Sequence, residues 1–240
     1  MFQKLRKSKK LLLVAMACAT FAIAGCGSDT TKNAADNGNA VTWSETFDGT
    51  KTDFAVKSSP THAVSMSQAT TEMMLQLGLE DKMAGTAFKE EEIYPPLQAA
   101  YDKVKVLSDK WPSYEVFMSV KPDFATGWPD SFSKRAIPAD KMIAQKVNIW
   151  LPESMLSTKA DLETNFNDMI KLGEIFGVKS KAEEWVAGQR KTLAAIQDKL
   201  KDLPRKRVFI YDSEDGQPFT AFEGYTTNIL KLIGADNVMS

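Results

Sequence analysis

A chain of 240 residues with 43% hydrophobic and 25% charged side chains has the composition of a soluble globular protein, long enough for one large or two small domains. Its formal charge is -1, but Lys4, Arg6, Lys7, Lys9 and Lys10 all lie near the start, so the rest of the chain is acidic. That balance excludes the basic patch a nucleic-acid binder needs.

The basic head leads into an apolar run, Leu11 to Ala24, too short to span a bilayer. Residues 1–25 therefore read as a secretory signal. Its tail, Ile23-Ala24-Gly25-Cys26, resembles the bacterial lipobox, in which Cys26 becomes the lipid-modified first residue; the competing reading is an ordinary secretory signal with an incidental cysteine. Cys18 leaves with the signal, the mature chain keeps one cysteine, and no disulfide is expected. Residues 26–40 are rich in Ser, Thr, Asn, Asp and Gly and read as a flexible tether. The expected location is extracytoplasmic, with the chain anchored to the bacterial cell membrane as a lipoprotein.

Residues 41–157 alternate short apolar runs with helical segments. Val41–Phe47 and Lys51–Val56 flank Asp48-Gly49, a hairpin signal. His62–Met66 predicts a buried strand running into a helix over Gln68–Leu77, with Ser67 as its N-cap and Gly78 as its stop. Ser67 is either simply a cap or the edge of a ligand site, because a helix N-terminus offers free N–H groups. Lys82–Ala87, Lys105–Leu107, Phe124–Trp128 and Val147–Leu151 predict further strands. Tyr94-Pro95-Pro96, Tyr114–Val120 (capped by Ser113) and Ala139–Gln145 predict the intervening helices. This alternation points to a largely parallel sheet covered by helices, with ligands beyond its C-terminal strand ends. Those ends carry Phe88, Trp111, Trp128, Phe132 and Trp150, an aromatic set suited to a large, partly apolar ligand; core packing is the alternative use of each ring.

Residues 158–204 predict two amphipathic helices. Leu162, Phe166, Met169, Ile170 and Phe176 share one face; Ala182, Trp185, Val186, Leu193, Ile196 and Leu200 share the other. Gly177 ends the first, Ser180 and Glu183 form a capping box for the second, and Pro204 closes it. Residues 205–240 add a strand over Arg207–Asp212 and a helix over Gly224–Ile233. Two α/β regions joined by a helical connector suggest two lobes with a cleft between them, though an ordinary α/β domain with consecutive helices gives the same pattern.

His62 is the one histidine, set at the start of a buried strand, so no zinc or manganese site is expected. Neither G-x-S-x-G nor a P-loop occurs, nothing assembles a catalytic triad, and the chain is not expected to be an enzyme. Glu90-Glu91-Glu92 reads as a solvated loop or as a grip for a cationic ligand, and Lys134 and Arg135 are the cations nearest a strand end.

The segment Thr61–Val238 resembles the iron-siderophore/vitamin B12 family of ABC-importer substrate-binding lipoproteins. The matching residues are His62 to Ser67 with Thr71-Glu72, Leu77 to Gly85, Tyr94-Pro95-Pro96, Pro112 to Glu115 with Lys121-Pro122-Asp123, Pro204 before Arg207-Val208-Phe209, and Leu232 to Val238. The resemblance implies an α/β fold of two Rossmann-like lobes joined by a long rigid helix, the class III (cluster A) arrangement. The second lobe is then incomplete at Ser240. Ligand-binding positions implied by site and resemblance together are Ser67, Phe88, Trp111, Ser113, Trp128, Phe132, Tyr211 and Phe219. Glu115 is implied as the residue that docks the ABC permease, whose ATPase is the further partner; a first-turn acid favoured by the helix dipole is the alternative reading of Glu115. The expected function is capture and delivery of an iron chelate (siderophore or haem) or corrinoid-like ligand by a monomer without a resident cofactor. A ligand sensor on the same two lobes is the alternative.

Overall fold

A computed structural model describes residues 40–221 and 223–240; the predicted signal, Cys26 and the tether up to residue 39 lie outside the described residues. The first element is an antiparallel hairpin of β1 (Val41–Phe47) and β2 (Thr50–Val56), with Phe47 opposite Thr50. Asp48 and Gly49 both take positive φ, 47° and 78°, the two-residue turn whose twist matches paired strands.

Five parallel strands follow: β3 (Ala63–Ser65), β4 (Met83–Ala87), β5 (Val106–Ser108), β6 (Phe124–Thr126) and β7 (Asn148–Trp150). Their order is β5-β4-β3-β6-β7. Between them lie α1 (Gln68–Gln76), α2 (Gln98–Tyr101), α3 (Tyr114–Ser119) and α4 (Ala139–Ala144). The chain steps outward from β3 to β5, then returns to lay β6 on the other side of β3. A doubly wound sheet opens a crevice at such a reversal, beyond its C-terminal strand ends.

Side chains alternate across this sheet as the strand period requires. Ala63, Phe124 and Trp150 join one core with Met74, Leu172 and Phe176; Val64, Ala125 and Ile149 join the other with Phe117 and Met142. Trp150 is thus a core residue, the packing use left open for its ring. His62 is exposed ahead of β3, where Asp123 accepts its backbone N–H, so it does not occupy the buried strand position predicted.

The paired helices are α5 (Leu162–Ile175) and α6 (Lys179–Leu200). Asp161 and Thr164 form the capping box, at the start of α5. The expected Ser180–Glu183 box does not form, because Gly177 at φ 71° turns the chain early and α6 already starts at Lys179. Gly173 permits the close approach of the pair, since a Cβ there would sit 2.7 Å from that of Ala182. The apolar face predicted along α6 is buried at Ala182 and Val186, whereas Ile196 is exposed.

The chain continues through β8 (Lys206–Val208), a short hairpin of β9 (Ser213–Glu214) and β10 (Pro218–Phe219), α7 (Tyr225–Leu232) and β11 (Ala235–Asn237). β8 and β11 are parallel, with Lys206 opposite Ala235. The strand expected over Arg207–Asp212 stops at Val208. Asn228 Nδ2 donates to the Ala160 carbonyl at 2.9 Å and fastens α7 to the segment ahead of α5.

Two buried carboxyls secure the turn that leaves β7. Glu45 accepts the Leu151 N–H at 3.0 Å, and Asp168 accepts those of Glu153 and Ser154 at 2.8 and 2.9 Å. Burial pushes the Glu45 carboxyl up to about 7, and burial raises Asp168 as well. A raised acid pKa means that the folded state keeps a proton the unfolded chain releases above its ordinary pKa near 4.5. Stability therefore falls as pH rises through that window. Urea unfolding is expected to show a loss of about 2 kcal/mol between about pH 5 and pH 8, with Glu45→Gln removing most of the slope.

Candidate functional site

The loops after β4, β5 and β6 meet at the open edge of the sheet. They enclose a cavity of about 430 Å³ lined by Phe88, Glu90, Trp111, Trp128, Pro129 and Asp130. Phe88 follows β4 with φ 59°, a left-handed conformation uncommon for a residue with a bulky side chain. Its ring stacks on Trp111, with centroids 4.6 Å apart and planes 21° apart. Trp111 is itself pinned, because its Nε1–H donates to the Met66 carbonyl at 3.1 Å, in the turn between β3 and α1. Trp128 donates to Glu90 Oε2 across 3.4 Å, a long bond.

Charges of both signs stand near these rings. Lys110 Nζ lies 5.0 Å from the centre of the Phe88 ring. Arg135 pairs with Asp130 at 2.6 Å, and Glu90 stands beside Trp128. The two carboxylates line the cavity and the two cations do not, so with its aromatic faces it suits a large ligand of low net charge more than a strongly anionic one.

One side chain braces the whole wall. Gln68, at the start of α1, accepts the N–H groups of Glu90 and Glu91 at 2.9 and 2.7 Å and donates to the Glu92 carbonyl and to Glu72. The acidic run is therefore tied down at its backbone. Gln68, Glu90, Asp130 and Lys110 are the site residues that motif reasoning passed over or left open. Only the position of Asp130 and Lys110 beside Trp128 and Trp111 pointed to them.

Of the positions expected to bind ligand, Phe88, Trp111 and Trp128 come together here. Ser67 does not: it is fully buried, caps α1 through Thr70 N–H and bonds the Thr70 hydroxyl at 2.8 Å. It belongs to a hydroxyl network with Ser65, Thr70, Thr71 and Thr86 that occupies its oxygen internally. Phe132 is also withdrawn, because the helical turn Pro129–Phe132 swings its ring into the core against Phe47. Ser113 is spent capping α3 through Val116 N–H. Tyr211 and Phe219 are exposed near the β9–β10 hairpin and line no part of this cavity. Glu115 projects from the exposed first turn of α3, its carboxyl held below the usual range by its own backbone N–H and by the Ser113 hydroxyl.

The comparisons with known proteins agree with this architecture. A family model described as periplasmic binding protein matches residues 64–240. The crystal structure of a periplasmic binding protein from Veillonella parvula is 95% identical, with a TM-score of 0.84 over 85% of this chain and 69% of that one. The uncharacterized ABC transporter substrate-binding lipoprotein YvrC of Bacillus subtilis is 26% identical over 96% of this chain and 73% of its own. An ABC-type Fe3+-hydroxamate transport system protein from Saccharomonospora viridis shares the fold, with a TM-score of 0.63 and 18% identity over 82% of this chain and 70% of that one. A match across most of the chain, on the doubly wound sheet and paired helices described above, assigns the protein: it belongs to the periplasmic binding protein family, a family of solute-binding proteins.

Proposed function

We propose that this protein is the substrate-binding component of an ABC importer and that it captures a metal chelate of low net charge, with an iron hydroxamate as the first choice. The observation that carries the reading is the aromatic cavity of Phe88, Trp111 and Trp128 at the reversal of the sheet, lined by the carboxylates of Glu90 and Asp130, with Lys110 against the Phe88 ring and Arg135 paired to Asp130. Three hydroxamate groups neutralise one ferric ion, so such a chelate presents apolar surface without the charge a catecholate would bring. Haem and corrinoids are the competing ligands for the same rings. The likeness to the S. viridis Fe3+-hydroxamate transport protein and to the B. subtilis ABC transporter substrate-binding lipoprotein supports the class.

The same reading places a lipid on Cys26, a signal over 1–25 and a tether over 26–40. A first lobe over 41–157, connecting helices over 158–204 and the start of a second lobe over 205–240 would then stand outside the membrane. Glu115 is the contact to the permease, since it is exposed, ionised across the physiological range and not part of the cavity lining. Replacing it tests delivery separately from capture. In cells taking up the radiolabelled chelate, Glu115→Ala is expected to lower the uptake rate several-fold while the purified variant keeps its ligand affinity. Unchanged uptake would remove Glu115 from the interface, and a matching loss of affinity would show that it acts on the ligand instead.

A further inference from the structure

A second concavity, of about 620 Å³, opens between α1, the Tyr94–Leu97 turn and the α5–α6 pair. Its volume falls within the range of small-molecule sites, and none of its lining residues belongs to the aromatic cavity described above. Among the described residues that line it, Glu72 alone is charged. One oxygen of Glu72 accepts from Gln68 Nε2 at 2.9 Å and from the Tyr94 N–H at 3.2 Å. The other has no hydrogen-bond or ion-pair partner among the described residues. Arg190, which follows the lining residue Gln189, is turned away to the Phe166 ring and to Glu163.

The remaining walls carry three neutral amides, Gln76, Asn165 and Gln189, and are otherwise apolar or aromatic. Tyr94 is 55% exposed, Trp185 is partly buried with its ring edge-on to Phe166, and Met73 and Met169 are buried beneath. A carboxylate uncompensated by any lining cation, set among two aromatic rings and two thioethers, matches a substituted ammonium group better than a neutral or anionic one. Ring faces attract such a cation, and its methyl groups fill apolar space that a hydrated lysine or metal ion would not.

We propose that this groove is a second ligand site, for a small organic cation with an alkylated ammonium head. Glu72 supplies the counter-charge, Tyr94 and Trp185 contact the head, and Met73 and Met169 take the apolar body.

The probe is choline, titrated calorimetrically into the full chain beside its uncharged isostere 3,3-dimethylbutanol. Saturable binding of choline is expected, with the isostere at least about tenfold weaker. Glu72→Gln should weaken choline by a similar factor while its amide oxygen still accepts from Gln68 and Tyr94. Trp111→Ala, in the other cavity, should leave choline binding unchanged. The proposal is overturned if choline shows no saturation up to about 10 mM, if the isostere binds as well, or if Trp111→Ala abolishes binding. The comparison of the two compounds on the unaltered protein decides the matter even where a variant fails to fold.

Discussion

Phe124→Ala is expected to cost about 3–5 kcal/mol of folding stability, a large part of the total for a domain of this kind. Phe124 lies on β6, fully buried, where three parts of the molecule meet. Its ring packs edge-on to Trp43 of the hairpin at 6.4 Å and to Phe176 at the end of α5 at 5.1 Å. Trp43 is in turn fixed by its Nε1–H, which donates to the Ile149 carbonyl at 2.7 Å. Truncation to Ala leaves a cavity bounded by rigid strands and an indole that cannot move without breaking that bond, so little collapse can offset the loss. The change is read as the shift in urea midpoint at fixed slope, with Phe219→Ala as a control expected to move it by less than about 0.5 kcal/mol, because that ring is half exposed.

Trp111→Ala is expected to raise the dissociation constant for the chelate by about 30-fold, equivalent to roughly 2 kcal/mol, while leaving the fold intact. Two losses combine. The indole itself leaves the cavity wall, and Phe88 loses the partner that holds its ring while its own backbone sits in the left-handed region. Trp111→Phe should fall between the two, because it can keep the stack but gives up the donation to Met66. Equilibrium titration of the purified proteins separates the three cases. Equal affinities in all of them would mean that the ligand does not rest on this wall.

The hairpin was legible in the sequence because Asp48-Gly49 admits few backbones other than a two-residue turn with positive φ at both positions. Ser67, Ser113, Gly78 and Gly177 were legible for the same local reason, since caps and stops depend on neighbours a few residues away. What failed depended on distant partners. Ser67 read as either a cap or a ligand edge; its oxygen meets Thr70, in a hydroxyl chain that runs on through Ser65 and Thr71 to Thr86 on β4. Trp128 and Phe132 share one short loop, yet a single helical turn points one ring to the cavity and the other to the core. Ser180-x-x-Glu183 satisfied the capping pattern, but the tight Gly173–Ala182 contact and the Gly177 turn set the start of α6. Asp161–Thr164 escaped notice because threonine stands where the pattern asks for Glu or Gln. Gln68 carried no motif at all; its role comes from a loop that lies over twenty residues away.

The most direct test of capture is tryptophan fluorescence of the purified protein titrated with a ferric trihydroxamate, haem and a corrinoid in parallel. Saturable quenching by the ferric hydroxamate at one ligand per protein, lost when Trp111 and Trp128 are both replaced by Phe, is the result expected of a chelate seated against those indoles. Folded protein whose fluorescence answers to none of the three, or whose quenching survives the double replacement unchanged, would contradict the assignment of the cavity.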